Sequence, residues 1–342
     1  MRISILIPCY NEERTIKACI ESCIYQIRKP DEIIIVDDGS TDKSPEILKS
    51  FGKKIKVVRT PRNTGNKSKA QEYGLKFVTG DVFIATDADT ILHCSFVKNV
   101  EKDFRDKKVA AVAGYVKSLR HNWLTACREL EYVIGQDIHK LAQSYLDAVF
   151  VIPGCACAFR TEAFRKYVTF DHDTLTEDLD FTYKLHENKL KIKYNKSAVC
   201  YTQDPDNLKS YINQMKRWYS GGWQNLKKHW KLVFAKSGNA LEMSLMYTEF
   251  MAFSLSLFLV PLINLSLFMY MISIYILSLL ILATYSSFKR KRLDLLIYFP
   301  GYIFLTFLNS LIFMGTFVKE IVMRKKEKSW NKPDRRNLPC NL

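Results

Sequence analysis

From residue 241 to residue 320 the chain is nearly free of charge outside Lys289 to Asp294, whereas the first 240 residues alternate apolar and charged stretches. That division constrains the architecture more than any motif. A helix of about 20 apolar residues spans the hydrocarbon core of a bilayer. Residues 241–288 hold two such stretches, 243–263 and 265–287, with Pro261 and Asn264 at the turn between them. Residues 294–319 are a third, interrupted at Pro300-Gly301. The run Lys289-Arg290-Lys291-Arg292 reads as a cytosolic membrane edge, because basic loops stay on that side. The tail from Ile321 carries seven Lys and Arg against Glu327 and Asp334 and reads the same way. A third full crossing would separate those two basic segments, so 294–319 either crosses or lies re-entrant or interfacial. Its length favours three spans. The start, Met1-Arg2 followed by a strand-like run at 3–7, carries no secretory leader pattern.

The 342 residues include 51 Lys and Arg against 35 Asp and Glu, a formal charge of +16. Such an excess suits anionic lipid, phosphorylated substrates or nucleic acid. Its distribution favours lipid. Residues 207–236 hold seven Lys and Arg, no acid, and Trp218, Trp223 and Trp230. This composition fits an interfacial helix or helix pair on an anionic leaflet, broken near Gly221-Gly222. The nine cysteines lack zinc spacing, and Cys155-Ala156-Cys157 is not a redox Cys-x-x-Cys. Reduced thiols on a cytosol-facing domain are expected.

Apolar runs at 3–7, 32–36, 55–58 and 82–85 alternate with helical spacing at 13–26, 43–51 and 68–79. A further strand is expected at 109–113, a long helix or helix pair at 119–145, and a helix at 179–188. This alternation predicts an α/β fold, a doubly wound and mostly parallel sheet with helices on both faces. Three strand ends then converge on one edge: Tyr10, next Asp37 and Asp38, next Asp87 and Asp89. Ligands bind beyond the carboxyl ends of such strands. Asp87 and Asp89 point the same way on extended chain, and paired carboxylates are hard oxygen ligands for Mg²⁺ or Mn²⁺.

Together, Pro8-Cys9-Tyr10-Asn11-Glu12-Glu13, Val36-Asp37-Asp38-Gly39-Ser40 and Asp87-Ala88-Asp89 resemble the nucleotide-sugar half of a family 2 glycosyltransferase with the GT-A fold. The resemblance implies that Tyr10 stacks on uracil between Pro8 and Glu12. It implies that Asp38 hydrogen-bonds the base, that Lys67 contacts the nucleotide, and that Asp87 and Asp89 hold the divalent metal. Thr176-Glu177-Asp178 is similar to the catalytic motif of the membrane-bound branch. Asp178 would be the general base and Glu177 would position the acceptor. Gln214-x-x-Arg217-Trp218 is the signature shared with cellulose, chitin, hyaluronan and poly-N-acetylglucosamine synthases. There Trp218 would floor the acceptor site and Arg217 would meet the leaving diphosphate, as a planar guanidinium suits phosphate. The stretch with Gly154 and Cys155 resembles the acceptor-side loop. With no His placed beside them in sequence, its thiols read as packing groups rather than nucleophiles.

The resulting expectation is a transferase domain at 1–205, interfacial helices at 206–240, a membrane region at 241–320 and a basic tail at 321–342. The activity implied is inverting, metal-dependent transfer of a hexose or N-acetylhexosamine from a UDP-sugar to a glycan or lipid-linked acceptor. It would run at the cytosolic face of the cell membrane, in a multi-pass protein, with a homo-oligomer or accessory subunit as a further partner and no nucleic acid. A polyprenyl-phosphate sugar transferase is the alternative enzyme. A non-catalytic, basic, membrane-tethered binding protein is the alternative of another class.

Overall fold

A computed structural model describes residues 1–235, 238–327 and 335–338. In chain order its regular elements are β1 (Ile3–Cys9), α1 (Ile16–Ile24), β2 (Glu32–Asp37), α2 (Ser44–Ser50), β3 (Lys56–Arg59), α3 (Lys67–Leu75), β4 (Val82–Ala85), β5 (Thr90–Leu92), α4 (Phe96–Asp103), β6 (Val109–Ser118), α5 (Trp123–Ile134), α6 (Leu141–Tyr145), β7 (Cys157–Arg160), α7 (Thr161–Tyr167), α8 (Glu177–Glu187), β8 (Lys191–Thr202), α9 (Leu208–Lys228), α10 (Gly238–Ile263), α11 (Leu265–Lys289) and α12 (Phe299–Phe317). Two compact units result. One comprises Met1–Lys117, Val151–Gln203 and Asp334–Leu342, the other Ser118–Phe150 and Asp204–Pro333.

The first unit is built on one sheet, ordered β3-β2-β1-β4-β7-β6-β8-β5. The expected parallel half is there: β1 pairs with β2 and β4, and β2 with β3, all parallel. Ile5, Leu6, Ile7, Ile34, Ile35 and Ile84 are buried, which is why these strands read as unbroken apolar runs. The other half is antiparallel, through β4–β7, β6–β7 and β5–β8, so the sheet is mixed. Periodicity did not reveal β5, β7 or β8. The first two have only 3 and 4 residues. Along β8 exposed Lys191 and Lys193 alternate with buried Ile192 and Tyr194, but the alternation lapses over Asn195, Lys196 and Ser197. The register Ala85↔Cys157 sets the start of β7 beside the carboxyl end of β4. Antiparallel pairing thus delivers Gly154 and Cys155 to the edge that carries Asp87 and Asp89.

In the second unit, the helix expected at 119–145 is three segments. It begins as α5 behind a capping box at Asn122 and Thr125, widens into π turns over Gly135–Lys140, and resumes as α6. The break expected near Gly221-Gly222 does not occur, because α9 is continuous for 21 residues. The glycine serves close approach instead. A Cβ on Gly222 would lie 3.1 Å from the Tyr247 hydroxyl, which donates to the Gly222 carbonyl at 2.9 Å. Pro300 does not interrupt the third apolar stretch either, since it occupies the first turn of α12, where proline is tolerated.

Among the described residues, three helices are long and apolar enough to cross a membrane, Ala240–Ile263, Leu265–Lys289 and Leu293–Val322. They differ in cover. Of the most apolar window, 6% and 0% is buried in the first two, against 39% in the third. The third packs on α5 and α9: Tyr211 donates to Asn309 at 2.9 Å, and Trp223 meets Phe313 and Phe317 at 4.8 and 5.2 Å between ring centroids. The basic run after α11 is tied to α5. Arg290 pairs with Asp137, and Arg292 donates to Glu129 at 2.7 Å.

Gly114 on β6 tests the sheet packing. A Cβ there would lie 2.7 Å from the Ala198 carbonyl oxygen and 3.1 Å from the Ala156 Cβ, both on rigid backbone. Gly114→Ala should destabilise the fold by about 1–3 kcal/mol. A thermal melt of the solubilised protein reads this as a lowered midpoint; an unchanged midpoint would mean the strands separate freely here.

Candidate active site

The chemistry gathers at the carboxyl edge of β1, β2 and β4. After β1, Tyr10 is 39% exposed, the form expected of a stacking platform. Asn11 follows with φ 53°, and its side-chain Oδ1 accepts from the Thr41 amide at 2.8 Å. Pro8 lies inside β1, opposite Val36. The Glu12 carboxylate accepts from Thr15 at 2.8 Å, at the entrance to α1. Asp37 is buried and accepts from the Ser40 amide at 2.9 Å. The Asp38 carboxylate accepts from the Thr60 hydroxyl at 2.9 Å and the Thr64 hydroxyl at 2.7 Å. It holds the turn that ends at Asn66, whose side chain caps α3 through the Ser68 amide.

Lys67 opens α3 and stands at the centre of the constellation. Its ammonium lies 2.6 Å from Asp87 Oδ1 and 3.1 Å from Glu177 Oε1. Asp178 Oδ2 accepts from the Gly154 amide at 3.2 Å. A Cβ on Gly154 would fall 3.0 Å from Lys67 Nζ and 3.6 Å from Asp178 Oδ2, so the backbone's approach depends on the missing side chain. Thr86 donates to the Cys155 carbonyl at 2.9 Å and fixes that loop to the end of β4. The structure therefore brings Lys67, Asp87, Gly154, Glu177 and Asp178 together from segments far apart in sequence.

Thr176 precedes α8 without a side-chain cap, and Glu177 and Asp178 occupy the helix's first turn rather than the segment before it. A helix N-terminus favours carboxylates. Even so, burial, reinforced by the neighbouring Glu177 charge, raises the Asp178 carboxyl above its ordinary range; Lys67 and the Gly154 and Leu179 amides offset part of this. Burial alone would lower the Lys67 ammonium, but Asp87, Glu177 and Asp178 outweigh it and hold Lys67 charged. Burial also raises Asp89. The Cys157 thiol is pushed well up by burial, which suits a packing group and not a nucleophile.

Two features were not foreseen. Asp89 pairs with Arg335 of the tail, whose guanidinium also donates to the Gln203 carbonyl at 2.7 Å. The sequence offered only a basic tail as a signal. Second, oxygen atoms of Asp171, Asp173 and Asp180 lie within 4.8 Å of one another, close enough to be a candidate cation site. The Lys184 ammonium lies 2.7 Å from both Asp171 and Asp180 and supplies a positive charge there.

Gln214, Arg217 and Trp218 belong to the second unit, on successive turns of α9. Gln214 Oε1 is buried with no hydrogen-bond partner among the described residues, Arg217 is half-buried, and Trp218 is 36% exposed.

Residues 4–168 match the family model "Glycosyl transferase family 2". The poly-β-1,6-N-acetyl-D-glucosamine synthase of Staphylococcus epidermidis is 30% identical over 239 residues, 68% of this chain and 58% of that protein. The chain belongs to glycosyltransferase family 2. It is related to the membrane-associated branch that includes these synthases, and it spans a little over half their length. The synthase of Staphylococcus aureus strain COL is 30% identical over 228 residues, 66% of this chain and 55% of that protein. Among solved structures, the mannosyltransferase PcManGT of Pyrobaculum calidifontis with GDP-Man and Mn²⁺ superposes with a TM-score of 0.59 at 18% identity, covering 88% of this chain and 86% of that one. S. aureus TarS 1–349 with UDP-GlcNAc gives 0.55 at 16% identity, covering 95% and 93%. These two likenesses establish the fold, a mixed GT-A-like sheet flanked by helices.

Lys67→Met removes the cation facing three carboxylates. With that charge gone, the Asp178 carboxyl should rise further, and the acid limb of the rate–pH profile should move to higher pH. A profile of kcat/KM against pH in both proteins checks the direction; an unmoved limb would separate Lys67 from the ionisation that controls the rate.

Proposed function

We propose that this family 2 glycosyltransferase moves N-acetylhexosamine from a UDP-sugar to a hydroxyl of a glycan acceptor, at the cytosolic membrane face, with inversion to a β-linkage. One observation carries the reading: Asp178, raised by burial, stands in one ion-paired cluster with Glu177, Lys67 and Asp87 at the carboxyl edge of the sheet. The acceptor hydroxyl attacks the anomeric carbon as the bond from that carbon to the diphosphate oxygen breaks. Its proton goes to Asp178, and the electron pair leaves on the nucleoside diphosphate. One base and no enzyme nucleophile give inversion. Tyr10 stacks on the base, and Asp38 holds the Thr64 turn from which Lys67 reaches the diphosphate. Glu177 orients the acceptor, Trp218 offers its exposed face to the sugar ring, and Arg217 meets phosphate. The acetamido sugar and the glycan acceptor are taken from the synthases' name and from the TarS complex with UDP-GlcNAc. A polyprenyl-phosphate acceptor is the second reading, favoured by the three helices apolar enough to cross a membrane.

Asp87 and Asp89 would hold a divalent cation. The donor set fits: both are oxygen ligands, and both carboxylates draw a positive side chain, Lys67 and Arg335. When bound, such a cation would neutralise charge developing on the diphosphate.

The decisive experiment incubates solubilised protein, Mg²⁺ or Mn²⁺ and a panel of nucleotide sugars with oligosaccharide primers, and measures nucleoside diphosphate release and product size. Release with UDP-N-acetylglucosamine and growth of the primer are expected; no release with any donor would sink the reading. Asp178→Asn should lower kcat by about 10²–10⁴-fold, the contribution typical of a general base, while UDP binding persists. Chelation should abolish turnover, and either cation should restore it; turnover indifferent to chelation would remove the metal from Asp87 and Asp89.

A further inference from the structure

We infer that Arg128 is a positioning residue for Trp218: its guanidinium braces one face of the indole so that the other stays open to an acceptor sugar. The inference rests on the proposed acceptor role of Trp218 and concerns the second unit alone. Arg128 lies on α5 with no exposed surface and heads the fully buried side chains by volume. Three aromatic rings surround its Cζ: Tyr132 at 4.8 Å, Trp218 at 5.2 Å and Tyr211 at 5.6 Å between Cζ and ring centroid. Tyr132 stands one turn along α5, and Tyr211 and Trp218 stand two turns apart on α9, so one guanidinium joins two helix faces.

The edge of the guanidinium is held as firmly as its faces. Nη1 meets Glu131 at 2.5 Å and Nη2 donates to the Tyr132 hydroxyl at 3.0 Å. That hydroxyl donates to Asp204 Oδ1 at 2.8 Å, and Arg128 Nε lies 3.5 Å from the same oxygen. The arrangement is costly as mere cement. Apolar side chains join two helices without desolvating charge, whereas here Arg128 Nε and Asp204 Oδ2 are buried without hydrogen bonds among the described residues. What the arginine supplies is a planar cation fixed in orientation, which stacks on indole as lysine cannot. It lies beneath an indole that is 36% exposed, while Trp223 of the same helix is 4% exposed and packed on all sides. A packed tryptophan is oriented by its neighbours. An exposed one needs a brace to present a fixed face.

Two variants test this in the full chain. Arg128→Lys keeps the charge and loses the plane. Arg128→Met combined with Asp204→Asn removes the buried charge together with its buried partner, and the carboxylate left behind, Glu131, is 32% exposed and can be solvated. Steady-state kinetics with UDP-N-acetylglucosamine and a short β-linked N-acetylglucosamine primer give KM for each substrate and kcat. Trp218 emission is isolated as the difference from Trp218→Phe. The expected result for both variants is a primer KM raised about tenfold, ~1.4 kcal/mol, with donor KM and kcat within about twofold and Trp218 emission shifted. An unchanged primer KM overturns the inference, and so does a common fall in kcat and both affinities, which would make Arg128 a helix staple only. The control separates the two readings. If Trp218→Phe leaves primer KM unchanged, the acceptor role of Trp218 fails and this inference with it. If Trp218→Phe raises it and the Arg128 variants do not, the inference fails alone.

Discussion

The ammonium of Lys67 is the contact on which the site depends. Asp87, Glu177 and Asp178 arrive from the end of one strand and the start of one helix, and three carboxylates in a partly desolvated pocket repel one another. Lys67 lies 2.6 Å from one and 3.1 Å from another, and its charge favours the ionised form of the third. Such an arrangement is compact only because Gly154 carries no side chain. In the proposed reaction the same charge would meet the diphosphate, so a structural ion pair and a substrate contact would share one group.

The second unit solves a different problem. Its α10 and α11 expose apolar side chains along their length, as bilayer helices do, while the third apolar helix is covered by α5 and α9 on part of its surface. Polar residues that composition alone would place at a membrane edge are paired internally: Arg290 with Asp137, Arg292 with Glu129. The basic run therefore has an architectural task toward α5. Gly222 in α9 belongs to the same logic, since it admits Tyr247 and does not bend the helix.

The local elements were legible where burial is one-sided or complete. The run at 82–85 is a strand with those bounds, and the runs at 3–7 and 32–36 extend by one or two residues at their carboxyl ends. Short antiparallel strands were not legible, because Thr90–Leu92 and Cys157–Arg160 owe their conformation to partners distant in sequence. The same limit applies to side chains. Glu12 and Asp38 stand in motif positions, yet what their carboxylates touch, Thr15 in one case and Thr60 and Thr64 in the other, depends on turns whose course sequence does not give.

By itself the sequence determined the division into an α/β half and an apolar half, the parallel strands, and the clustering of acids at their carboxyl ends. These follow from hydrophobic period and length, which are local properties. Only the tertiary structure decided that β7 returns antiparallel and carries Gly154 to Asp178, that Lys67 joins carboxylates from β4 and α8, that Arg335 meets Asp89, and that Arg128 lies under Trp218. Each of these contacts joins residues tens or hundreds of positions apart. No periodicity encodes such contacts, because their energy exists only once chain folding has brought both partners out of water and into reach.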